Sequence, residues 1–240
     1  MEIKAFIFDM DELMVDSFIY HGLVFAEVFK PYGIIWRGEG SQLTPEIEAP
    51  LFGLSIKDIF TILVEKFGLT DQADPAELLL QYNEQLIPVF ERENIQPKAG
   101  LAKLVGDIAQ HNYPVALASS ASHKKIEVIL RKIGLAHYFP VLVSGEDEIK
   151  HGKPAPDIFL KAAERLKISP QHCVVFEDAE NGVKAAKAAG MKCIGVHNQT
   201  VFKVAGKRQD LSQADLEVES LTELTVAKIL RALTPSSPRN

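Results

Sequence analysis

The chain has 240 residues, 47% of them hydrophobic and 24% charged, with 26 Lys and Arg against 32 Asp and Glu for a formal net charge of -6. That balance describes a globular protein with room for one large core or two modest ones. It speaks against a nucleic-acid or anionic-membrane partner, which needs clustered Lys and Arg, and no apolar run approaches the roughly 18 residues of a membrane span.

The N-terminus passes from Met-Glu-Ile-Lys straight into an apolar strand, without a basic region, apolar stretch and cleavage site, so an untargeted cytoplasmic protein is expected. Ile3 to Phe8 has the content of a buried parallel strand and ends in Asp9 and Asp11, separated by a single residue. Ligands of open α/β sheets sit beyond such strand ends. Two acids there repel each other unless something positive, usually a metal, lies beside them. The same stretch also reads as a strand and a polar turn whose Asp16 or Ser17 caps the next helix.

From Phe18 to about Arg92 the pattern is purely helical. One helix runs from Ser17 to about Tyr32 and is closed by Gly33. Thr44-Pro45 starts another. Leu54-Ser55, with Asp58 three residues after the serine, opens a third reaching about Phe67, and Asp74-Pro75 opens a fourth toward Phe90. Near Pro97 to Gly100 the pattern changes to alternating helices and short apolar strands. The strands are Val115 to Ser119, Val141 to Ser144, Cys173 to Glu177 and Cys193 to Val196. Cys173 and Cys193 thus read as buried reduced thiols. The alternation predicts an α/β fold, a doubly wound parallel sheet with helices on both faces. The α/β core comprises 1–16 and 93–233, the helical insertion 17–92, and 234–240 a flexible tail.

Parallel strands would gather four clusters beside Asp9 and Asp11: Ser119-Ser120, Gly145 with its acidic neighbours, Lys153, and Glu177-Asp178. Phosphoryl transfer uses such parts. A carboxylate nucleophile forms an aspartyl phosphate, and a second acid protonates the leaving oxygen and then activates water. Further carboxylates hold Mg2+. Hydroxyl, amide and ammonium groups neutralise the phosphoryl oxygens. Each cluster also has a structural reading: Ser119-Ser120 and Glu177-Asp178 as helix caps, Lys153 as a solvated lysine before the stiff Pro154-Ala155-Pro156. Gly145 to Lys153 is two residues too long for a P-loop and lacks the following Ser or Thr.

Phe8-Asp9-Met10-Asp11 with Val15-Asp16-Ser17, then Ala118-Ser119-Ser120, then Gly152-Lys153-Pro154-Ala155-Pro156-Asp157, then Phe176-Glu177-Asp178-Ala179 with Gly182 follow one another in this order. On these motifs the chain resembles the haloacid dehalogenase superfamily, in its β-phosphoglucomutase-like phosphatase branch, over nearly its whole length. The resemblance implies a Rossmann-like core and a helical cap that closes over the site, hinged near Asp16 and Arg92. It implies Asp9 as nucleophile, Asp11 as general acid/base, and Mg2+ on Asp9, the Asp11 carbonyl, Glu177 and Asp178. It places Ser119, Ser120 and Lys153 on the phosphate.

Two departures from the family pattern stand out. Glu12 occupies a position where the family has glycine, which suggests a turn with unusual backbone angles; its side chain either crowds the metal or phosphate or points outward, the reading adopted here. In the cap, His21 matches the mutases' histidine, but Ile56 or Ser55 and Tyr82 stand where they carry an arginine and a lysine, with Lys57 as a partial substitute. The expected activity is Mg2+-dependent hydrolysis of a small phosphorylated metabolite, foremost a sugar phosphate, by a monomer. The alternatives are a phosphomutase and a ligand- or partner-binding homologue weakened by Glu12.

Overall fold

The computed structural model describes residues 2–48, 51, 56–198 and 208–234. The expected helix opening at Leu54-Ser55 and all but the first residue of the expected tail lie outside them.

The strands are β1 Ala5–Phe8, β2 Val115–Ser119, β3 Val141–Ser144, β4 Cys173–Glu177, β5 Lys192–Val196 and β6 Leu216–Val218. They form one parallel sheet in the order β3-β2-β1-β4-β5-β6. Among the described residues the α-helices are α1 Ser17–Phe29, α2 Pro45–Glu48, α3 Ile56–Lys66, α4 Pro75–Arg92, α5 Leu101–Gln110, α6 His123–Lys132, α7 Gly145–Glu148, α8 Asp157–Leu166, α9 Glu180–Ala188 and α10 Val226–Leu233.

β1 is apolar throughout because it is covered on both faces. Ala5 and Ile7 join Ala116, Ala118, Val143 and Val175 against Phe159 and Ala162 of α8 and Val183 and Ala186 of α9. The alternate residues point the other way. Phe8 stacks on Phe176 at 4.3 Å between ring centroids and meets Phe139 edge-on. Phe8 is in register with Leu117 of β2 on one side and with Phe176 of β4 on the other. Strand order reverses at β1, so the crevice beyond its carboxyl end is a topological switch point.

β6 and α10 complete this unit and carry weaker sequence signals. β6 is a three-residue edge strand, short for periodicity to register. α10 buries Val226, Ile229 and Leu233, and its capping Thr225 accepts from Lys228 N.

The chain divides into two units, changing after Asp16 and again before Ile95. The helical unit has its own core, in which Phe25, Phe29, Trp36, Phe60 and Tyr82 pack together, Phe25 and Trp36 stacking at 4.9 Å. Asp74 caps α4 through Ala76 N at 2.8 Å, as the Asp-Pro signal predicts. Among the described residues no helix is long and apolar enough to cross a membrane.

Candidate active site

Asp9 continues β1 by one ladder bond, its N–H donating to Phe176 O at 3.1 Å, and this carries its carboxylate to the switch point. Beyond it the chain turns tightly: Met14 N donates to Met10 O at 2.8 Å, and Asp11 pairs with Val15. Glu12 sits in this turn at φ +64°, in the left-handed region that costs a non-glycine residue about 1 kcal/mol. Its side chain does not point outward as expected. Asn198 Nδ2 donates to both Glu12 O and Glu12 Oε2, and the Glu12 charge contributes to raising the Asp178 carboxyl.

Lys153 joins the strand ends. Its ammonium donates to Asp9 Oδ1 at 2.5 Å and to Glu177 Oε1 at 2.6 Å, and all three side chains are at least nine-tenths buried. Glu177 Oε2 accepts from Asp178 N and Ala179 N, so this carboxylate also fixes the turn that leads into α9; it does not cap the helix, whose first residue is Glu180. Gly182 explains the fit: a Cβ there would lie 1.8 Å from Glu177 Oε1. The spacing of Gly182 from Glu177 thus reflects a close approach of α9 to the carboxylate.

Negative charge exceeds positive here. Burial, then Glu177 and Asp11, push the Asp9 carboxyl up to about 7 despite Lys153. Burial, then Glu177, Asp9 and Glu12, hold Asp178 well above the usual carboxylate range. Burial works against the Lys153 ammonium, but Asp9 and Glu177 outweigh it and raise its pKa. Carboxylate oxygens of Asp9, Glu177 and Asp178 lie within 4.8 Å of one another, all buried. A hard divalent cation suits this all-oxygen set and relieves its repulsion.

At the end of β2, Ser119 is buried, its Oγ accepting from Ala121 N at 3.2 Å, while Ser120 is exposed. Neither caps the next helix; Ser122 does. The acidic neighbours of Gly145 fold into α7, which secures this turn. Ser144 Oγ donates to Ala121 O at 2.7 Å, and Asp147 Oδ2 accepts from His123 N at 2.6 Å. Gly145 is needed because a Cβ would lie 2.7 Å from Ser120 Cα.

Sequence reasoning missed Lys125, whose ammonium donates to Asp11 Oδ1 at 2.8 Å. A signal was present: His123-Lys124-Lys125 puts three basic side chains in the first turn of a helix, the wrong sign for its dipole. Asn198 carried no comparable signal. His21 and Lys57 lie in the helical unit. His21 Nδ1 is hydrogen-bonded with the buried Tyr82 hydroxyl, and Lys57 is exposed on α3.

A family model described as haloacid dehalogenase-like hydrolase matches residues 3–190. The chain is 35% identical over 191 residues to the bifunctional riboflavin kinase/FMN phosphatase of Arabidopsis thaliana, covering 78% of this chain but 47% of that protein. It is 30% identical to the phosphorylated carbohydrates phosphatase of Thermotoga maritima, over 80% of this chain and 83% of that one. The crystal structure of β-phosphoglucomutase from Clostridium difficile superposes with a TM-score of 0.71 at 25% identity, covering 96% of each chain.

Proposed function

Since the chain belongs to the haloacid dehalogenase-like hydrolases, in their β-phosphoglucomutase-like branch, we propose that it is a Mg2+-dependent phosphatase of small phosphate monoesters, foremost sugar phosphates. The observation that carries this reading is Asp9 at the switch point, bridged by Lys153 to Glu177, with Asp11 two residues beyond. Phosphatases of phosphorylated carbohydrates and of FMN among its relatives support it.

In this reading Asp9 attacks phosphorus and becomes an aspartyl phosphate. Asp11 gives its proton to the leaving alkoxide and then takes one from the attacking water. The Lys153 ammonium, the Ser119 hydroxyl and Ser120 face the phosphoryl oxygens as their charge builds. Lys153 also orients the nucleophile by holding its Oδ1. Asp9, the Asp11 carbonyl, Glu177 and Asp178 hold Mg2+, which when bound neutralises phosphoryl charge and sets the carboxylates' protonation. The helical stretch 17–92 acts as the substrate-selecting cap, with His21 and Lys57 as its candidate contacts, and the enzyme works as a cytoplasmic monomer.

The test is hydrolysis of p-nitrophenyl phosphate and a metabolite panel with Mg2+, abolished by EDTA and by Asp9→Asn. A purified protein inert toward every ester would overturn the reading. The likeness to β-phosphoglucomutase favours a phosphomutase as the second reading; a hexose 1-phosphate converted to its 6-phosphate, rather than to free sugar and phosphate, would establish it. Against it, the position where the mutases carry a cap lysine is held here by Tyr82, buried and engaged with His21.

A further inference from the structure

Lys125 has no part in the steps above, yet it is built into the site. It stands on the first turn of α6 with only 4% of its surface exposed. Ser122 caps its backbone N–H, and the next residue, Ile126, is fully buried, so the lysine stem leaves the helix from a fixed place. A buried ammonium costs several kcal/mol unless an anion compensates it, and the helix N-terminus adds a repulsion. One oxygen of Asp11, 2.8 Å away, offsets part of that cost.

Resting on the phosphatase reading, we infer that Lys125 is a positioning residue for Asp11. By holding Oδ1 it fixes the carboxylate where a proton must be delivered and recovered. In the first step the bond from Asp9 to phosphorus forms, the ester P–O bond breaks, and the Asp11 proton passes to the leaving alkoxide. In the second, a water oxygen bonds to phosphorus, the acyl-phosphate P–O bond breaks to restore Asp9, and the water's proton passes to Asp11. Lys125 is not consumed in either step. An acid displaced by about 1 Å costs roughly 100-fold in rate.

The experiment is a double-mutant cycle. Lys125→Met and Lys125→Arg are made in wild type and in Asp11→Asn, and assayed on an alkyl phosphate and on p-nitrophenyl phosphate. Lys125→Met should lower kcat about 10- to 100-fold with KM changed less than about threefold. The loss should be larger for the alkyl ester, whose alkoxide needs the proton. Lys125→Arg should recover part of it, and in Asp11→Asn the Met substitution should cost nothing further. An unchanged kcat, or an equal loss in both backgrounds, overturns the inference. If Lys125→Met does not fold, the arginine variant carries the same cycle. A wild-type protein that hydrolyses neither ester overturns the phosphatase reading, and the role of Lys125 with it.

Discussion

One amide, Asn198 Nδ2, lies 2.9 Å from the main-chain oxygen of Glu12 and 2.8 Å from its Oε2, clasping the residue that bears the turn's left-handed backbone. Glu12→Gly removes the side-chain bond, worth about 1 kcal/mol, and a backbone cost of similar size. Its melting temperature and turnover should therefore stay close to wild type. Asn198→Ala loses both bonds and should melt several degrees lower, roughly 4–8 °C per kcal/mol for a small domain and less for this length. Thermal melts and steady-state kinetics of the two variants check this; a sharp rise in turnover for Glu12→Gly would mean that the carboxylate obstructs the site.

Lys153→Met leaves Asp9 and Glu177 buried without their shared ammonium. Breaking a buried ion pair from one side costs about 3–5 kcal/mol, so a large drop in melting temperature is expected, together with loss of at least about 100-fold in kcat/KM. Adding Mg2+ should restore more stability to this variant than it adds to wild type, because the cation takes over part of the missing charge. Calorimetric melts with and without Mg2+ measure it.

Gly182→Ala tests the carboxylate through its backing. The new Cβ would lie 1.8 Å from Glu177 Oε1, so Glu177 must move and release Lys153 or the Asp178 and Ala179 amides. Titration calorimetry should show weaker Mg2+ binding than wild type. A ligand at about 100 times its Kd stabilises by roughly 2.7 kcal/mol, and the corresponding thermal shift should shrink in the variant.

Asp215 offers a pH-dependent stability that is independent of the site. Burial pushes its carboxyl up, but bonds from Lys187 and Lys192 and from Cys193 N outweigh that and hold it below the usual range. A depressed folded pKa contributes stability in full above the unfolded value of about 3.9 and loses it as pH falls through the folded value. With both lysines about a third exposed, the contribution is roughly 1 kcal/mol. Asp215→Asn should melt below wild type at pH 7, and the gap should close below about pH 4; a gap independent of pH would refute the assignment to charge.

The sequence by itself determined the main strands, the helical insertion and the residues that meet beyond β1. β1 is a continuous apolar run, and β2 to β5 are largely apolar inside their terminal residues, because both sheet faces are covered; a run buried on both faces is legible without its partners. Asp9, Ser119, Glu177 and Asp178 were legible for the same reason: each stands at or just beyond the carboxyl end of such a run, and parallel strands bring those ends together. Tertiary structure decided which side chains engage which. Lys125 and Asp11 are 114 residues apart, Asn198 and Glu12 are 186 apart, and nothing in the periodicity around any of the four specifies its partner. The direction of Glu12 followed from such a pairing, as did the use of Asp147 and Glu148 to secure the turn beside Ser119. Periodicity records how a segment is buried, whereas a hydrogen bond between distant side chains depends on where two separately placed backbones direct them.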